Sequence, residues 1–352
     1  MRGPGWLERL ERRFAVKTSE GQDPEYDGER DEDEGDEGME SLTRLSKDLR
    51  RAMATLGPVQ VRYLVDEYYA MQENRKRGSN QTRGLVEAGK PNGAVRWLAT
   101  NNLFMEKQLK AALNHYSAGQ RLGRWARSVV GIGPVIAAGL LAHIDLELCP
   151  TVGHIWRFAG LDPTVDWGGQ EKCAAWVRSK ERKVDGEMIV EGCAKFGRKR
   201  ETIERYMEGK TTATALAAAL AKRPWNGRLK TLCWKIGESF VKVKGNEKDS
   251  YGRIYEERKA YEHARSEAGR YAGQAAAILA AKPNHAQRAI YQEGRLSDGH
   301  IHSRAKRYAV KLFLAHYHQR GREILGLPVP KPYILATDPA HAHLIEAPAM
   351  VE

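Results

Sequence analysis

Four cysteines, Cys149, Cys173, Cys193 and Cys233, lie scattered through 352 residues, and no two form a Cys-x-x-Cys pair. That spacing argues against a zinc ribbon or a disulfide framework and for free thiols in a reducing compartment. No apolar run reaches the ~18 residues of a membrane span, so no membrane partner is expected. The opening Met-Arg-Gly-Pro-Gly-Trp has no apolar signal region, and a cytoplasmic setting is the expectation. No segment alternates apolar and polar residues long enough to build a sheet, so the chain reads as all-α.

Charge is unevenly spread. The formal net charge is +12, yet residues 23–40 hold eleven acids against one arginine, which leaves +22 on the remainder. A basic body behind an acidic segment points to a polyanionic partner, with residues 1–40 read as a disordered segment that either competes for that surface or merely solubilises.

Apolar spacing divides the rest. Leu42, Leu45, Leu49, Met53 and Leu56 recur at helical intervals up to Gly57-Pro58. Val61 to Met71 and Trp97 to Leu113 continue the pattern around a Gly-Lys-Pro-Asn-Gly loop at 89–93. This defines a helical region over 41–120. Residues 224–325 carry long amphipathic helices. Leu229, Leu232, Cys233, Ile236 and Phe240 follow Trp225 on one apolar face, with Arg228, Lys235 and Lys242 on another. Near 300–320, Ile301, Ala305, Tyr308, Ala309 and Leu312 face the core beside a basic stripe of Arg304, Arg307 and Lys311. The charged stretch from Tyr251 to Ala281 reads as helical and solvated by salt bridges. Pro328, Pro330 and Pro332 make 326–352 an extended tail.

The most informative segment is 121–169. Gly131-Ile132-Gly133-Pro134-Val135 precedes an apolar helix running to Ala142, a pattern read as a helix-hairpin-helix. Glycines at i and i+2 permit a tight turn, and Pro134 suits the first helical position. Bare amides at a helix start form an anion cradle for DNA phosphates. A plain structural turn is the alternative. Residues 170–223 look like a small inserted basic segment with helix-turn-helix cadence. Ile189, Val190 and Ala194 would pack one helix, Gly197 would turn, and Ile203, Tyr206 and Met207 would pack the next. Arg198, Lys199, Arg200 and Arg205 would then be free for phosphates or base edges.

Gly131–Val135, Phe158-Ala159-Gly160-Leu161-Asp162-Pro163 and Asn226-Gly227-Arg228-Leu229-Lys230-Thr231-Leu232 together resemble the C-terminal half of the one-ten/one-sixteen family of bacterial insertion-sequence transposases. The likeness covers about 70 residues, split by the inserted segment. It implies DNA transposition or recombination in a mobile element or phage, hence a prokaryotic or phage-infected cell. It also implies a metal-binding acidic tetrad in an N-terminal nuclease-like domain and a DNA-attacking serine. Neither is found. The first 120 residues lack strands and spaced acids, and after Pro163 stands Thr164, with no serine before Ser179. An unactivated threonine hydroxyl is a poor nucleophile, so no catalytic residue, metal ligand or cofactor is assigned. An active recombinase with an unrecognised or partner-supplied site stays open, as does a non-catalytic helical assembly protein.

The resulting expectation is a sequence-tolerant DNA-binding protein, with RNA admissible and a homo-oligomer expected. Its contacts would be Gly131, Ile132, Gly133, Pro134, Val135, Arg198, Lys199, Arg200, Arg228, Lys235, Arg304, Arg307 and Lys311. A base-excision glycosylase also uses such hairpins, but the stretch Cys149–Ile155 offers no acid. Three His-x-His pairs stand after residue 299: His300/His302, His316/His318 and His341/His343. Positions i and i+2 of a helix face apart, so only the tail pair is spaced to chelate. Trp97, Trp125, Trp156, Trp167, Trp225 and Trp234 are read mostly as core anchors.

Overall fold

A computed structural model describes residues 44–163, 167, 169–180, 186–196, 200–331 and 344–349. Fifteen α-helices and no strand occur among them, as the apolar spacing implies. The acidic segment, Thr164, Gly197, Arg198, Lys199, the His341/His343 pair and the side chain of Ala194 lie outside the described residues.

Ser46 caps α1 (Lys47–Ala52) by accepting from the Leu49 amide. Gly57 and Pro58 then close one element and open the next, because Pro58 occupies the first helical position of α2 (Pro58–Glu87). A short loop containing Gly89 at φ +68° leads to α3 (Gly93–Ala118), whose first turn is capped by Asn92. Val61, Val65 and Tyr68 of α2 and Leu113 and Tyr116 of α3 pack on Val135, Ala138 and Ala142. Those three lie on α5 (Pro134–His143), which follows α4 (Arg121–Ser128). After α6 (Val152–Phe158) come α7 (Gly169–Ser179), α8 (Gly186–Phe196), α9 (Arg200–Met207) and α10 (Ala213–Leu220). These four share a core of their own, built from Cys173, Trp176, Val177, Met188, Ile203, Leu216, Ala217 and Leu220. The chain continues through α11 (Gly227–Val243), α12 (Tyr251–Glu267), α13 (Ala272–Ala281), α14 (Arg288–Gln292) and α15 (Asp298–Ile324).

The main core joins α4, α5 and α6 to α11, α12 and α15. Leu229, Leu232, Cys233, Ile236 and Phe240 meet Ala305, Ala309, Val310, Phe313, Leu314 and Tyr317 around Trp125, Leu140 and Ile155. Trp125 stacks on Phe313 with ring centroids 6.1 Å apart, and Phe240 stacks on Tyr251 at 4.9 Å. Each such ring contributes about 1.5–3 kcal/mol through burial. This core fixes the position of the loop between α4 and α5. Residues 344–349 fasten to the same region. The Trp125 indole N–H donates to the Pro348 carbonyl (3.1 Å), and Arg320 donates to the carbonyls of Ala347 and Pro348.

Several expectations need correction. Trp97, Trp167 and Trp234 are 44%, 36% and 52% exposed rather than core anchors. Trp234 falls on the solvent side of α11, opposite the face set by Leu229 and Ile236. Val190 is 71% exposed, and Met188 takes its place in the core. The cause is Gly192, where an added Cβ would lie 2.4 Å from Ile203 Cδ1. Close approach on the Met188/Gly192 side turns Val190, two residues from each, outward. Tyr308 is likewise outside the core, with the Arg258 guanidinium 4.5 Å from its ring centroid. The stretch 251–281 breaks into two helices near Gly269, at φ +71°. Its charges are not all solvated either. Glu262 is only 1% exposed and pairs with Arg258 and Arg304 while accepting from the Tyr271 hydroxyl.

Candidate nucleic-acid interface

The loop between α4 and α5 is short because its backbone closes at once on itself. The Val129 amide donates to Ala126 (3.2 Å), and the Ile132 amide donates to Val129 (3.0 Å). Gly131 sits at φ +93°, in the region that only glycine enters at little cost. Its carbonyl accepts the Ser239 hydroxyl at 2.6 Å. A Cβ there would lie 3.3 Å from Phe240, Ser239 and Val243. Gly131 is therefore set by the fold. Gly133 is different, since its φ of −83° suits any residue and an added Cβ would meet nothing within 4 Å. Neither conformation nor packing accounts for the missing side chain, which leaves the start of α5 bare.

Pro134 occupies the first position of α5, and no side chain caps this helix. The first-turn amides of Val135 and Ile136 have no intrahelical acceptor and carry the positive end of the helix dipole. The side chains of Ile132 and Val135 are buried, so both residues present backbone alone to the surface. This helix start opens into a groove of about 560 Å³ whose walls include Tyr69 and Gln72 of α2, Lys110 of α3, Arg127 of α4 and Ser239 of α11. Lys110 and Arg127 are cationic, and among the described residues no carboxylate lines the groove. A second groove of about 650 Å³ shares Tyr69 and runs on through Lys235, Thr231 and Arg228 to Arg223. Lys235 stands 3.8 Å from the centre of the Tyr69 ring. Burial first, then the nearby Lys76, holds its pKa below the usual lysine range against the pull of Glu73. Arg228 pairs with Asp66 at 2.6 Å.

Gly131–Val135, Lys235 and Arg228, far apart in sequence, thus line two adjoining grooves. The α15 stripe lines neither groove. Arg304 donates to Glu262 (2.8 Å) and is taken up by that buried carboxylate. Lys311 lies 4.1 Å over the Trp156 ring, and Lys230 lies 4.1 Å over Trp225. Burial, then Arg307 and Arg223, lowers the Lys230 pKa, so Lys230, Lys311 and Arg307 form a crowded ridge that adjoins the second groove at Arg223. Arg200 pairs with Glu204 (2.7 Å) inside the four-helix unit. The histidine pairs diverge. His302 bonds Tyr255, His316 bonds Tyr251, and His318 bonds the Cys149 carbonyl. No cluster of three metal-ligating side chains occurs among the described residues.

Sequence reading missed Tyr69, Lys110, Arg127 and Arg223. Arg127 was recoverable, since it ends the helix that enters the loop. Tyr69 and Lys110 reach the groove only through the packing of α2 and α3 on α5, which no local pattern announces.

Taken together, these features define an all-helical protein with an uncapped helix start inside a basic groove. Residues 123–184, from the middle of α4 past the end of α7, match the sequence model of the transposase IS116/IS110/IS902 family. The match makes the segment that carries the groove loop similar to part of that family. No curated protein and no solved structure matches the chain.

Proposed function

We propose that this protein binds DNA through its backbone, in the transposition or recombination of a mobile element or phage. The carrying observation is Gly133: a glycine that the fold does not require, at an uncapped helix start, in a groove lined by Lys110 and Arg127 and by no carboxylate among the described residues. On this reading the α4–loop–α5 segment acts as a helix-hairpin-helix. Phosphate oxygens accept from the amides of Gly133, Val135 and Ile136. Lys235 and Arg228 extend the contact along the adjoining groove, and the Arg307/Lys311 ridge offers a further basic surface. The family match supports the setting. Backbone contacts of this kind tolerate sequence and admit RNA as well as DNA. No described helix is long and apolar enough to cross a membrane. A homo-oligomer in the cytoplasm of a prokaryotic or phage-infected cell completes the proposal.

The test is an electrophoretic shift with duplex, single-stranded and branched DNA at two salt concentrations. Six phosphate contacts would lower affinity by about 10³-fold between 50 and 200 mM salt. An affinity that barely moves with salt would remove the phosphate reading.

A further inference from the structure

The second groove contains a polar group that the fold leaves without a partner. His143, in the last turn of α5, is 8% exposed, and its Nδ1 makes no hydrogen bond. It faces the groove beside Asn226 and Gly227, where α11 begins. The Asn226 side chain caps the Leu229 amide. The Gly227 and Arg228 amides still belong to a first turn with no intrahelical acceptors. Arg223 and Lys235 line the same groove, and Arg62 donates to the Ala142 carbonyl close by (2.9 Å). Asp66 is the one acid of the lining, and Arg228 holds it. Burial, then Arg62 and Arg228, presses the His143 pKa down to about 4, so a neutral imidazole lines a cationic recess.

An anion answers each of these features. It accepts from the α11 amides and from an N–H of the His143 imidazole, and it offsets Arg223 and Lys235. A cation does not fit, because Asp66 is the one acid of the described lining, Arg228 already pairs with it, and Arg223 and Lys235 add positive charge. We infer that this recess is a second phosphate site, which holds a phosphate of the same strand that the Gly133 loop grips. The inference rests on the backbone-binding reading above. α5 spans the two sites, with Pro134 at one end and His143 at the other. Nine residues of helix rise about 14 Å. With phosphates ~3.4 Å apart along the axis of each strand, the two sites are about four nucleotides apart.

The experiment follows the His143 imidazole by NMR in the full chain, during titration with inorganic phosphate, a dinucleotide and an eight-nucleotide strand. Binding of the same oligonucleotides is measured for His143→Gln, Arg223→Gln and Gly133→Glu. The inference expects the octamer to move the His143 resonances and raise its pKa by a unit or more. Arg223→Gln, at the exposed lip, should weaken the octamer about tenfold and leave the dinucleotide unchanged. His143→Gln, if folded, should do the same. An octamer bound with His143 unmoved, and weakened by Gly133→Glu alone, would overturn the second site while sparing the first. A response to inorganic phosphate alone would overturn the shared strand. An octamer indifferent to Gly133→Glu would instead remove the backbone-binding reading itself.

Discussion

Two glycines two residues apart make opposite predictions, and comparing them separates fold from function. Replacing Gly131 by alanine places a side chain at φ +93°, a conformation that costs about 1–3 kcal/mol for a non-glycine residue. The new Cβ also comes within 3.3 Å of Phe240 and Val243 in the core. A loss of about 2 kcal/mol is expected, or roughly 3 °C in melting temperature for a unit of this size. Gly133→Ala meets nothing within 4 Å at an ordinary φ. A slightly poorer cap is offset by a less flexible unfolded chain, so its stability should stay within about 0.5 kcal/mol. Gly133→Glu should fold equally well. In the groove its carboxylate would stand near a bound phosphate, a repulsion of about 1–4 kcal/mol at ~4 Å. At least a fivefold loss of affinity follows, read by electrophoretic shift, with melting by circular dichroism as the control. Wild-type affinity in a folded Gly133→Glu variant would refute the phosphate argument. An unchanged melting temperature for Gly131→Ala would refute the conformational one.

Glu262→Gln should destabilise by about 3 kcal/mol in urea titration, because it strips a buried carboxylate from Arg258 and Arg304. Burial pushes the Glu262 pKa up, but hydrogen bonds from Tyr271, Arg304 and Arg258 outweigh it and leave the pKa lowered. Its stabilisation is therefore complete above the unfolded value near 4.3 and lost as pH falls through the lowered folded value, an acid loss that Glu262→Gln should abolish. Burial lowers the His316 pKa despite its bond to the Ile345 carbonyl. The folded state should then lose stability as pH drops below about 6.5, read by urea titration at pH 7.5 and pH 5.5. Arg320→Ala removes the donors to Ala347 and Pro348 and should free residues 344–349 at neutral pH, at a cost of about 1–3 kcal/mol. Trp125→Ala, which empties a fully buried indole site, should cost about 3–5 kcal/mol.

The all-α architecture was legible because helical spacing is local. The apolar face from Leu229 to Phe240 and the breaks at Gly57-Pro58 and 89–93 each need only a few neighbouring residues to be read. The loop at Gly131–Val135 was legible for the same reason. Pairing was not. The sequence gives Arg304 and Lys235 the same appearance, one basic residue on an amphipathic helix, yet Glu262 from α12 takes the first and Tyr69 from α2 sits beneath the second. Trp234 and Val190 misled because apolar character was taken for burial, whereas helix register and the contact at Gly192 decide which face is covered. His143 closed an apolar helix and drew no notice, since its surroundings come from α2 and α11.

The core around the groove loop has a consequence for synthesis. Residues near Trp125 and Leu140 wait for Phe313 and Tyr317. At 5–20 residues per second, the ribosome takes about ten to forty seconds to deliver them. The four-helix unit between them has its own interior and can settle meanwhile, but the surface beside Gly133 gains its backing only once α15 has been made. Nascent chains should therefore leave polyanions alone until α15 has emerged.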